Sequence, residues 1–184
     1  MAMKQKSIRP PGFGPVVLVF SDHAGPPVLV RVLIPQPGIS AEKQAAIRYG
    51  GLPVSHHPVS DALCSRLKAF LRGDAVAFSL DRVDLAACSP FQRAVLLATH
   101  AIPRGEVRTY GQIATRAGAP GAARAAGNAL ARNPFPLIIP CHRAIRSNGL
   151  PGGYRGGPEM KKTLLAYEGI VFNESGHAIR TLQR

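Results

Sequence analysis

Residues 121–132 read Gly-Ala-Ala-Arg-Ala-Ala-Gly-Asn-Ala-Leu-Ala-Arg, and no other stretch restricts the fold as much. Alanine is the best helix former, so this run predicts a helix with almost no side-chain bulk, able to lie close against another surface. Upstream, Thr109 is a good N-cap for a short helix from Tyr110 to about Ala117, and Gly118-Ala119-Pro120 supplies a turn. The two helices and their connection have the length and turn chemistry of a helix-turn-helix. Alanines packed in a core would look the same. A core does not explain Arg124, the large side chain of the second helix's first turns, with Arg116 and Arg132 nearby.

The rest of the chain divides around this element. Residues 1–12 mix lysines with Pro-Pro-Gly and predict a flexible tail. Runs at 15–20 and 27–34 predict two strands joined by a turn at residues 22–26, and a further strand is expected at about 75–83. Ser60 or Asp61 can cap a helix that carries Leu63, Leu67, Phe70 and Leu71 on one face and ends near Gly73. From Pro90 the pattern becomes helical, with Phe91, Val95 and Leu96, then Ile102, and a stop near Pro103-Arg104-Gly105. Pro158 suits the first position of a last helix and Gly169 its end. The expected organisation is an α/β N-terminal domain over residues 1–88, a mainly α helix-turn-helix domain over 89–172 and a C-terminal tail over 173–184.

The longest apolar runs, such as Val16–Phe20, are too short to span a membrane, and the N-terminus lacks an apolar signal region, so a cytoplasmic protein is expected. Cys64, Cys88 and Cys141 are odd in number, scattered and without a CxxC pair, which argues against a disulfide framework and a cysteine-rich zinc site. His56-His57 has no third ligand nearby and reads as a surface loop. The formal charge of +13 on 184 residues is uneven: residues 89–184 carry 13 Lys/Arg against 4 Asp/Glu, and residues 1–88 carry 10 against 6. Charge alone fits either a nucleic-acid surface or a solvated basic face.

Pro140-Cys141-His142-Arg143 follows the apolar pair Ile138-Ile139, which reads as a buried strand. Cys141 is a candidate nucleophile, because the thiolate is the reactive form and His142, Arg143 and Arg146 can favour it. Neighbours on an extended strand point to opposite faces, so Cys141 and His142 meet only in a turn or through a water. Glu168, in the last turn of the final helix, is disfavoured by the helix dipole and so predicts a partner.

Taken in order, Arg104-Gly105-Glu106-Val107, Thr109-Tyr110-Gly111-Gln112, Ala122–Ala125, Asn133-Pro134, Pro-Cys-His-Arg, Gly153–Gly157 and Leu164–Gly169 resemble the O6-alkylguanine-DNA alkyltransferase family, the methylated-DNA–protein-cysteine methyltransferases, over roughly residues 89–170. The resemblance implies a ribonuclease H-like N-terminal module and a winged-helix-like helix-turn-helix domain. It implies a monomer that enters the minor groove of double-stranded DNA, flips out an O6-alkylguanine and takes the alkyl group onto Cys141 irreversibly, once per molecule. O4-alkylthymine stays open as a second substrate.

By position, the resemblance makes Cys141 the acceptor and His142 its water-linked partner. Glu168 orients His142 and favours its charged form, Tyr110 donates to the leaving base, and Asn133 braces the turn that holds the cysteine. Arg124 is the finger that fills the gap in the base stack, and Thr109, Ala123, Ala125 and Arg132 contact DNA around it. Tyr154, Arg155 and Gly156 wall the guanine pocket, and Arg143 is structural or DNA-facing. Arg155 stands where many members carry serine, and Ala144 replaces the usual valine. The N-terminal half lacks the metal ligands of some members, so neither metal nor cofactor is expected, and the protein would be cytoplasmic and nucleoid-associated on DNA. Two other classes remain: a damage-binding protein with a vestigial cysteine, and a Cys-His hydrolase or acyltransferase, which would need an oxyanion hole and would leave the basic helix-turn-helix unexplained.

Overall fold

The computed structural model describes residues 2–22 and 25–180. It divides into two compact units, Met1–Ala87 with Pro134–Pro136, and Cys88–Asn133 with Leu137–Arg184.

The first unit holds an antiparallel sheet of β1 (Ala2–Ile8), β2 (Val16–Asp22) and β3 (Val28–Leu33), in that spatial order, with helices α1 (Ala41–Tyr49) and α2 (Pro58–Phe70). Val17, Val19 and Leu33 pack on Ala41 and Ala45, with Met3 and Leu52 at the margin. The expected strands at 15–20 and 27–34 are β2 and β3; their turn includes His23 and Ala24, which lie outside the described residues.

Three expectations are corrected here. Residues 2–8 are an edge strand rather than a flexible tail: they pair with β2 from Ala2↔Asp22 to Ile8↔Val16. On the outer edge, Gln5 donates to the Pro53 carbonyl at 2.9 Å and accepts from Ser55 N at 2.8 Å. Of the lysines that suggested mobility, Lys6 is ion-paired with Asp61 of α2. Residues 75–83 form no strand and meet β3 only through the Leu29↔Val83 bridge. Ser79 and Asp84 instead accept from the backbone two residues on, local bonds that compete with a ladder. The cap of α2 is His57, whose Nδ1 accepts from Val59 N at 3.1 Å, so Ser60 and Asp61 lie inside the helix. Helix α1 is an element that the sequence reading lacks.

The second unit opens with α3 (Pro90–His100), capped by Ser89. The next elements are β4 (Arg108–Thr109), α4 (Tyr110–Arg116) and α5 (Ala123–Ala131), then a single 3-10 turn at Cys141–Arg143, β5 (Ala144–Ile145), α6 (Pro158–Tyr167) and the strands β6 (Ile170–Phe172) and β7 (Ala178–Arg180). The predicted helix-turn-helix is α4 and α5. Thr109 caps α4 and Gln112 reciprocates: Thr109 Oγ1 accepts from Gln112 N, and Gln112 Oε1 accepts from Thr109 N.

Two further corrections fall in this unit. Residues 173–180 are not a tail: β7 pairs antiparallel with β6, from Ile170↔Arg180 to Phe172↔Ala178, across an Asn173–Gly176 turn. Residues 181–184 lie outside the described residues. Leu137, Ile138 and Ile139 are buried, as expected, but in a turn rather than a strand. Prolines at 134, 136 and 140 cannot donate to a ladder, and Leu137 takes a positive φ of 74°, uncommon for a branched side chain. Among the described residues, no helix is long and apolar enough to cross a membrane.

Candidate alkyl-transfer site

The short parallel pairing of β4 with β5, Arg108↔Ala144 and Thr109↔Ile145, sets the start of α4 beside the Cys141 turn. Tyr110 is the first residue of α4, and Cys141 opens the 3-10 turn just before β5. Asn133 is buried, and its Nδ2 donates to the Ile139 carbonyl at 3.1 Å, bracing the turn that leads into the cysteine. The same side chain hydrogen-bonds the Cys141 thiol.

Cys141 and His142 are consecutive in a tight turn, the circumstance that lets neighbours reach one centre. His142 and Glu168 are buried, and His142 Nε2 lies 2.9 Å from Glu168 Oε1. Arg143 approaches the same carboxylate with two prongs, Nε to Oε2 and Nη2 to Oε1, each at 2.8 Å, and a third nitrogen donates to the Ile102 carbonyl. The partner that Glu168 needed is thus double. Arg143 faces this carboxylate, which makes it structural rather than DNA-facing. Burial alone would raise the Glu168 carboxyl, but hydrogen bonds from His142 and Arg143 outweigh it and hold it at about 2.

This changes the expected state of His142. Burial lowers its pKa, and the opposing pull of Glu168, shared with Arg143, does not reverse that. His142 is therefore held neutral rather than charged. With the carboxylate beside Nε2, the proton is assigned to that nitrogen, which leaves the lone pair on Nδ1.

Burial also raises the Cys141 thiol, opposed by the Asn133 hydrogen bond and then by the charges of Lys161 and Arg155. The cations acting on the cysteine are thus Lys161 and Arg155, rather than Arg143 and Arg146, the side chains nearest in sequence. Lys161 is fully buried; its Nζ donates to Ala144 O at 2.6 Å and to Gly153 O at 3.5 Å, and also to Pro151 O. Burial brings its pKa down to about 8. Sequence reading missed Lys161, although a signal was present: Lys161, Leu164, Leu165 and Glu168 share one helical stripe, so the lysine sits at a core position.

The remaining predicted residues surround this centre. The Tyr154 ring stands edge-on to His142, centroids 6.5 Å apart, and its buried hydroxyl has no hydrogen-bond partner among the described residues. Burial, and then the charge of Cys141, push the phenols of Tyr110 and Tyr154 above their ordinary values, so both stay protonated. Gly152 takes φ 71°, and a Cβ there would fall 2.9 Å from the Tyr110 hydroxyl. At Gly156 a Cβ would fall 2.2 Å from Met160 Sδ, so a larger residue there would have to displace the Met160 side chain. Thr109, Tyr110, Ala123 and Arg124, with Arg146, Ser147 and Asn148, line an open groove of about 690 Å³. Arg124 and Ala125 are exposed on the first turn of α5; Arg132 is exposed at its far end, and Arg155 donates to the Ala131 carbonyl at 2.6 Å.

The second unit sets a helix-turn-helix beside a buried Cys-His-Glu arrangement, and comparison with known proteins gives the family. Residues 90–170 match the family model described as 6-O-methylguanine DNA methyltransferase, DNA binding domain. The methylated-DNA–protein-cysteine methyltransferase of Methanothermobacter thermautotrophicus is 50% identical over 108 residues, 59% of this chain and 60% of that protein. The Mycobacterium leprae protein of the same name is 47% identical over 104 residues, 56% and 62% of the two chains. The chain thus spans about 60% of the length of these curated relatives. Among solved structures, Mycobacterium tuberculosis OGT in complex with DNA superposes with a TM-score of 0.71 at 36% identity, over 90% of this chain and 92% of that one. This chain belongs to the methylated-DNA–protein-cysteine methyltransferase family.

Proposed function

We propose that this protein repairs DNA by direct reversal, moving the alkyl group of O6-alkylguanine onto Cys141 once and irreversibly. The observation that carries the reading is the buried relay behind Cys141: a thiol braced by Asn133, next to a neutral His142 that Glu168 and Arg143 fix in place. The thiol gives its proton through a water to His142, and the thiolate sulfur attacks the alkyl carbon. The C–O bond breaks with its electron pair going to guanine, and the Tyr110 phenol supplies the proton that the ring nitrogen takes up. The product is a thioether, which no group of the site can reverse.

The alkyl carbon lies inside a duplex, so the base must be extruded at a cost of a few kcal/mol. In this reading α5 enters the minor groove, Arg124 fills the gap, Thr109, Ala123, Ala125 and Arg132 contact the strand around it, and Tyr154, Arg155 and Gly156 wall the base. Thr109 Oγ1 accepts from Gln112 N in capping α4, which leaves its hydroxyl hydrogen to donate to the strand. The Tyr154 hydroxyl has hydrogen-bonding capacity to offer a bound base. Residues 89–172 act as the winged-helix-like alkyltransferase domain beside a ribonuclease H-like domain over 1–88, in a cytoplasmic, nucleoid-associated monomer, with O4-alkylthymine as a second substrate. The name of the tuberculosis structure, a protein held with DNA, supports DNA as partner.

Replacing Cys141 with Ala tests the reading. Transfer from an O6-methylguanine duplex should vanish while binding to that duplex persists; retained transfer would overturn it. Arg124→Ala should slow transfer from duplex on the order of a hundredfold yet barely change reaction with free O6-benzylguanine, since only the duplex needs flipping. Equal losses would remove the finger role.

A further inference from the structure

Tyr154, Arg155, Gly156 and Gly157 form a tight turn, closed by Gly157 N donating to Tyr154 O at 3.0 Å. The turn leaves the Arg155 backbone little freedom and sends its side chain 24 residues back along the chain, to Ala131 O at 2.6 Å. Ala131 is the last residue of α5, and its carbonyl is among the four that a helix leaves without an internal partner. A guanidinium suits that end, where the helix dipole is negative. Gln92 of α3 secures the same end, donating to Ala129 O and Arg132 O at 3.2 Å each.

The two ends of this link do different work. At one end Tyr154, next to Arg155, stands edge-on to His142, and Gly156 is pressed against Met160. At the other end α5 runs back to Ala123 and Arg124 in the groove, with Gly127 near enough to the Tyr110 ring that an added Cβ would sit 3.8 Å from it. Moving the Tyr154 turn outward would therefore break the bond to α5.

We infer that Arg155 is a positioning residue that fastens the Tyr154–Gly157 turn to the C-terminal end of α5, so that the width of the pocket facing Cys141 is set from the DNA-reading helix. The inference rests on Cys141 being the alkyl acceptor, and it assigns a role to the arginine that replaces a serine: it limits how bulky an alkyl group the pocket admits. Arg155 also acts electrostatically on Cys141, but that effect is common to every substrate and cancels in a ratio of rates.

The test uses the full-length protein as wild type, Arg155→Ser and Arg155→Lys, with duplexes carrying either O6-methylguanine or O6-benzylguanine, and transfer followed by intact mass. The benzyl-to-methyl ratio of rate constants should rise roughly tenfold in Arg155→Ser, the lower end of what pocket shape discriminates. It should return towards wild type in Arg155→Lys, which keeps a donor and the charge. Rates that fall together at a constant ratio would overturn control of pocket width. Amide hydrogen exchange without DNA, measured alongside, separates the link from the chemistry: Arg155→Ser should speed exchange at residues 154–157. Unchanged exchange there would overturn the link itself. If the wild type modifies Cys141 with neither duplex, it is the alkyl-transfer reading that fails, and the exchange result still decides whether Arg155 holds the turn.

Discussion

The sheet of the first unit meets α1 through Val17, Val19, Leu33, Ala41 and Ala45, whereas α6 of the second unit turns Lys161 and Glu168 inward beside Leu164 and Leu165. One interior is hydrocarbon, whose contribution scales with the area removed from water and is indifferent to direction. The other contains two cations, a carboxylate and an imidazole, which stabilise nothing unless each is matched by a partner at hydrogen-bond distance. Glu168 receives His142 and both prongs of Arg143; Lys161 is matched by carbonyls. The difference teaches how each interior is held: the apolar one by area removed from water, the polar one, which lies beside the Cys141 thiol, only by its matched hydrogen bonds.

The sharpest way to break the contrast is Glu168→Ala, which strands Arg143 and His142 without an anion. It should cost about 4 kcal/mol, since removing one partner leaves the other charge buried and uncompensated, and should also suppress alkyl transfer. Thermal unfolding and the transfer rate check the two halves; a variant as stable as wild type would show that the network carries no stability. Acid probes the same carboxylate in the intact protein. Its folded pKa is depressed from an ordinary 4.5 to about 2, so its stabilisation is fully present above pH 4.5 and drains away as the pH falls towards 2. About 3 kcal/mol should be lost across that window, and Glu168→Gln should flatten the loss in denaturant titrations at stepped pH. On the hydrocarbon side, Val19→Ala should cost about 2 kcal/mol, from two buried methyl groups and the space they leave, with the transfer rate unchanged. A matching loss of rate would mean that the two interiors are not functionally separate.

The sequence made some of this legible and hid the rest for physical reasons. Helices α3 to α6 were readable because Pro90, Thr109, Pro158 and Gly169 mark their ends, and local signals need no knowledge of the partner. Helix α1, Ala-Glu-Lys-Gln-Ala-Ala-Ile-Arg-Tyr, lacks a strong apolar stripe, and its Ser40 and Gly50 caps were the signals left to announce it. The strand over residues 2–8 was misread because lysines look alike on a tail and on an exposed edge. Ile138-Ile139 was misread because the apolar pair suggested a strand, although Pro134, Pro136 and Pro140, which cannot donate to a ladder, already argued for a turn. Within the site, Cys141, His142, Asn133, Tyr110 and Glu168 were readable as a set from motif order. The roles of Arg143 and Lys161 were not, since each depends on groups brought together only by folding: a carboxylate 25 residues away, and carbonyls 8 to 17 residues away. The same holds for His142, whose pKa is lowered first by burial in the folded core and then by the charges of Arg143 and Lys161.

The most direct test of the central claim is intact mass followed by peptide mapping, after mixing the protein with a slight excess of an O6-methylguanine duplex. One added methyl group, mapped to Cys141 and not rising further with more DNA or time, is the predicted result. Unmodified Cys141 with the duplex still bound would contradict it and make this chain a damage-binding protein.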